Sequence, residues 1–97
     1  MRIIIDDKKR GIINLARELG YRPLDVSAGG EFNLIRPVRG DDYPRFHIYA
    51  KEEGGKIVFN LHLDQKKPSY QGSPAHSGEY EGELIEKEAE RIKELIK

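Results

Sequence analysis

Apolar residues recur along this chain with two different periods. Between Asp7 and Leu19, Ile12, Ala16 and Leu19 fall at i, i+4 and i+7, which places them on one face of a helix. Asp6 or Asp7 stands where a helix is capped, and Gly20 stands where one ends. Helical spacing returns in Ile85, Ala89, Ile92 and Ile96, predicting a second helix from about Glu83 to the C-terminus. Between the two helices the period shortens to two. Residues Glu31–Val38, Arg45–Lys51 and Lys56–Asp64 read as three strands. Residues Arg39 to Pro44 form a turn, and Glu52-Glu53-Gly54-Gly55 reads as a four-residue hairpin loop. The triplet Ile3-Ile4-Ile5 fits either a short extra strand or an apolar anchor. Tyr21 to Gly30, with Pro23 and Gly29-Gly30, reads as a link.

This order predicts an α+β domain over residues 1–97, an α-β-β-β-α two-layer sandwich. Its three-stranded antiparallel sheet would carry both helices on one face. A four-residue loop pairs Lys51 with Lys56, Ala50 with Ile57, Ile48 with Phe59 and Phe46 with Leu61. The opposite, open face then holds Arg45, His47 and Tyr49 on one strand, and Val58, Asn60, His62 and Asp64 on the next. In that register His47 lies opposite Asn60 and diagonal to His62, and Arg45 lies opposite His62.

Charge refines this picture. Charged residues make up 35% of the chain and hydrophobic ones 37%, with 17 basic and 17 acidic side chains. A balanced surface of this kind argues against a general nucleic-acid coat, which needs a basic excess. The absence of cysteine excludes disulfides and cysteine-ligated zinc. The Ile3–Ile5 run is too short for a signal peptide or a membrane span. The expectation is therefore a small cytoplasmic protein with no membrane partner. Abundant Glu, Lys and Arg also resemble a thermophile's usage.

Three kinds of chemistry fit the open face. Histidine titrates near neutral pH, so His47 and His62 could act as general base and acid, with Arg45 or Lys66 beside an anionic centre. His47 and His62, joined by Asp64 or His76, could also hold a metal with one position open. The third reading is a binding module, in which ordinary half-exposed strand residues present a ligand surface. Its candidate residues are Arg45, Tyr49, Asn60 and Asp64 on the sheet and Lys66, Lys67, Tyr70 and His76 in the segment that follows. That segment, residues 65–82, is long for a compact domain and reads as a functional or flexible loop. Lysines close to a tyrosine suit RNA or another phosphate-bearing ligand. The residues point to no particular cofactor.

The stretches "ELGYRP" and "FHIYAKEEGGKIVFNLH", followed by a closing helix, resemble the HicA-type mRNA interferase toxins. These are small RNases with a fold like that of double-stranded-RNA-binding domains. The resemblance spans most of the chain through short motifs, and it implies RNA cleavage with His47 as the catalytic histidine. Tyr43-Pro44-Arg45-Phe46 replaces that family's usual Gly-Ser-His approach to the histidine. The chain is also neutral where the family is usually basic, and its link to the last helix is longer.

Overall fold

The computed structural model describes residues 1–6, 10–65 and 78–96. Among them the elements run β1 (Arg2–Ile5), α1 (Gly11–Leu19), β2 (Arg22–Val26), β3 (Phe32–Pro37), β4 (Arg45–Glu53), β5 (Lys56–Asp64) and α2 (Gly78–Leu95). The five strands make one antiparallel sheet in the order β1-β5-β4-β3-β2. The class is α+β, but the three-stranded sheet and the α-β-β-β-α order are corrected by two extra strands. Each escaped the period-two signal for a separate reason. In β1, Ile3 and Ile5 are buried while Ile4 is 55% exposed, an alternation that three identical side chains conceal. All five residues of β2 are exposed, so no apolar alternation marks it. Pro23 suits β2 because it is an edge strand, where a ladder N–H is dispensable.

Helix boundaries also shift. α1 begins at Gly11, not at Asp7. Arg10 precedes it without a side-chain cap, and its first turn holds no acidic residue. Asp7 itself lies outside the described residues. The C-terminus of α1 follows the expectation. Gly20 takes the left-handed conformation at φ 86°, and the N–H groups of Gly20 and Tyr21 donate to Arg17 and Ala16 carbonyls. α2 starts at Gly78, so the end of the predicted 65–82 loop is helical.

Both helices pack on one face of the sheet. Ile12, Leu15, Ala16 and Leu19 of α1 and Ala89 and Ile92 of α2 cluster with Leu34, Ile48, Ala50, Phe59 and Leu61 from the central strands. Ile3 and Ile5 extend this layer onto β1. One carboxylate interrupts it. Glu88 on α2 is 4% exposed and accepts a 2.6 Å hydrogen bond from the Tyr21 hydroxyl. Arg91 donates to both of its oxygens at 2.8 Å and also reaches the Leu19 carbonyl at the end of α1. Arg36 on β3 approaches it at 3.4 Å. Burial, and next the adjacent Glu88 carboxylate, push the Tyr21 hydroxyl far above its ordinary titration range. This cluster joins both helices to the sheet and satisfies a buried charge that would otherwise be costly.

The β4–β5 hairpin corrects the predicted register. Glu53 pairs with Lys56, so the loop is only Gly54-Gly55, with φ of 54° and 85°. Positive φ at both central residues is the signature of the tight turn whose twist matches paired strands. Relative to the four-residue loop, every partner moves by two positions. Ala50 pairs with Phe59, Ile48 with Leu61 and Phe46 with Leu63. A two-residue slip preserves which face each side chain occupies, so both registers satisfy the same apolar pattern.

Two stability predictions follow from these contacts. Gly55→Ala places a Cβ at positive φ and should destabilise the fold by about 1–2 kcal/mol in a chemical denaturation series. Glu88→Ala leaves Arg91 and Tyr21 without their acceptor. Because Arg91 stays partly solvated, the loss should be about 2–4 kcal/mol, below that of a fully dry pair, against about 1 kcal/mol for Tyr21→Phe.

Candidate functional site

The face of the sheet opposite the helices carries the predicted sheet residues in rows that the ladders define. One row runs Asp25–Asn33–Tyr49–Asn60–Arg2 across all five strands. The next row places Ile35, His47 and His62 side by side. A third places Pro37, Arg45 and Asp64 together. His47 is therefore directly opposite His62, not diagonal to it, and Arg45 opposes Asp64 instead of His62. The tight Gly54-Gly55 turn is the physical cause of both changes. Lys66, Lys67, Tyr70 and His76 lie outside the described residues.

His47 is the most constrained group on this face. Its side chain is 12% exposed, and both ring nitrogens are engaged. Nδ1 meets an Asp64 carboxylate oxygen at 3.1 Å, and Nε2 meets the Asn33 side-chain oxygen at 3.1 Å. The Asn33 amide is oriented by a third residue, because its nitrogen donates to the Asp25 carboxylate. A carboxylate only accepts, so the Asn33 oxygen must be what faces His47. Acceptors on both sides are satisfied together only when both ring nitrogens donate. Neither ring nitrogen of His47 is left unengaged to meet a substrate.

His62 differs in each respect. Its side chain is exposed and has a ring neighbour in Tyr49, whose centroid is 5.3 Å away in an edge-on arrangement. Partial desolvation, the positive amino terminus and His47 lower its tendency to protonate, against a smaller opposing pull from Asp64. The ring is thus held toward its neutral form, with a basic nitrogen available. Tyr49 links the two histidines, since its ring also lies 4.3 Å from that of His47. Arg45 is anchored at 3.5 Å from Asp64, and its guanidinium lies over the Tyr43 ring at 4.5 Å.

Asn33, Asp25 and Arg2 belong to this face and were not singled out from the sequence. Asn33 was visible as an outward residue of its strand. Asp25 and Arg2 sit on the two strands that the periodicity did not reveal. As for a metal, no group of three or more His, Cys, Asp or Glu side chains comes together among the described residues. No family model, curated protein or solved structure matches the chain. No helix among the described residues is long and apolar enough to cross a membrane.

The electrostatics give a directional test. In an NMR titration His62 should have its midpoint below the ordinary histidine value of about 6.5. His47→Gln should raise that midpoint, and Asp64→Asn should lower it further. Because folding favours neutral His62, the unfolded chain binds more protons. The contribution of His62 to stability is complete above the unfolded value and is lost as pH falls through the folded one. A midpoint above the ordinary value would contradict this arrangement.

Proposed function

We propose that the chain is a binding module whose sheet face opposite the helices takes a phosphate-bearing ligand, with single-stranded RNA as the first candidate. One observation carries the reading: His47, Tyr49 and His62 form a continuous line of rings on a sheet face that neither helix covers. Aromatic side chains on an open antiparallel sheet are a recurring platform for unpaired bases, because every base has a π-face to stack. Arg2, Arg45 and Lys51 supply positive charge around the rings for the phosphates. Asp25 and Asp64 keep the face from being uniformly basic, consistent with a neutral chain and with moderate affinity.

RNA cleavage is the second reading, and a specific observation shapes it. The resemblance to HicA-type toxins implied His47 as the catalytic group, but both of its nitrogens are engaged. His62, exposed and held toward neutrality, is the better-placed base on the same face. His47 would then act as a fixed neighbour, held by Asp64 and Asn33.

Fluorescence anisotropy with a labelled single-stranded RNA tests the main reading. Binding should weaken as salt rises. Tyr49→Ala should lower affinity by about 5- to 100-fold, the equivalent of about 1–3 kcal/mol for one stacked base, with the melting temperature little changed. No binding at millimolar protein, or binding indifferent to Tyr49→Ala, overturns it. Gel analysis of the same mixtures reads cleavage. Cutting that His62→Ala abolishes supports the enzymatic reading, and RNA left intact after long incubation removes it.

A further inference from the structure

The two edges of the sheet are built differently. β2 carries Pro23 and a register shift between Pro23 and Asp25. These are common means by which an edge avoids pairing with another chain. β1 has none of them. Arg2–Ile5 is an unbroken strand, with Met1 47% and Ile4 55% exposed, and among the described residues nothing pairs with its outer side. A groove of about 470 Å³ runs beside it, lined by residues 2–6 and by Lys93 and Ile96 of α2.

The hydrogen-bond phase of β1 identifies what fits there. Met1 and Leu61 exchange both backbone bonds, at 2.8 and 2.7 Å. The backbone groups of Met1, Ile3 and Ile5 therefore point inward to β5. Those of Arg2 and Ile4 point outward, and Asp6 directly follows the last strand residue. A second copy laid antiparallel about a two-fold axis at Ile4 meets the same three residues in reverse order. Ile4 pairs with Ile4 of the copy, and Arg2 pairs with Asp6 of the copy on both sides of the axis. About six backbone hydrogen bonds form at matching positions. The side chains agree with the backbone. The two exposed Ile4 side chains meet, and opposite charges face each other at both ends of the strand. On the helix side Ile3 comes opposite Ile5 of the copy, which continues the core across the joint, and Ile96 closes the groove.

We infer that this protein forms a two-fold dimer through the outer edge of β1, with Ile4 at the axis and Arg2 opposite Asp6 of the second copy. A self-complementary edge with its charges placed symmetrically about one exposed residue suits this chain better than an unrelated peptide. The product is a single ten-stranded sheet. Both open faces lie on the same side of it, so the two ring platforms become one bivalent surface. The inference stands independently of what those platforms bind.

Sedimentation velocity across micromolar concentrations tests it. The wild-type chain should sediment at twice its 11.1 kDa mass. Ile4→Lys, Arg2→Asp and Asp6→Arg should each weaken association at least tenfold, with the far-ultraviolet circular dichroism of the folded chain unchanged because all three sites are exposed. The double variant Arg2→Asp/Asp6→Arg should dimerise again. An equimolar mixture of the two single charge variants should form a heterodimer. A wild-type monomer at every concentration overturns the proposal. So does a dimer that persists in Ile4→Lys and in both charge variants, or a wild-type dimer whose charge variants fail to associate when mixed.

Discussion

The two positive φ angles at Gly54 and Gly55 are the constraint on which the site depends. They shorten the β4–β5 loop to two residues and thereby set the register of the two longest strands, which occupy the middle of the sheet. One register places Phe46, Ile48 and Ala50 against Leu63, Leu61 and Phe59 under the helices. The same register places His47 against His62 and Arg45 against Asp64 on the other side. Neither face can be changed without the other, because alternate residues of one backbone serve both. The core and the candidate site are two readings of a single turn.

Each layer is also pinned by a carboxylate. On the helix side Glu88 collects Tyr21, Arg91 and Arg36, tying α2 to the end of α1 and to β3. On the open side Asp64 collects Arg45 and His47, and Asp25 acts through Asn33 to hold the other nitrogen of His47. The difference between the two sets is solvent. Glu88 is almost dry, so its contacts mainly secure the fold. Asp64 is about one-third exposed, so its contacts are made at the edge of solvent and are weaker. The two histidines, one strand apart, differ accordingly: His47 is engaged at both nitrogens, and the His62 side chain is exposed.

Much of this was legible in the residues. Ile12, Ala16 and Leu19 do lie on the buried face of α1, and Ala89 and Ile92 on that of α2. The separation of His47, Tyr49, Asn60 and His62 from the apolar face also holds. What was not legible has physical causes. Three isoleucines in a row carry no alternation, although only two of them are buried. An edge strand with no buried residue has no apolar period to detect, so Arg22–Val26 resembled a link. Glu88 sits within a run of acidic residues, and nothing local separates it from its solvated neighbours until Tyr21 and Arg36 arrive from elsewhere in the chain.

The sequence by itself therefore determined which side of each central element faces the core, because burial follows from hydropathy and period alone. It also determined the α+β class and placed His47, Tyr49, Asn60 and His62 on the face away from the apolar residues. Only the tertiary structure decided who meets whom: His47 with His62, Asp64 with Arg45, Glu88 with Tyr21, and β1 at the open edge. A shift of two residues leaves every side chain on its own face, so no apolar pattern can distinguish the two registers. The hairpin geometry distinguishes them, through backbone angles that glycine permits and other residues resist.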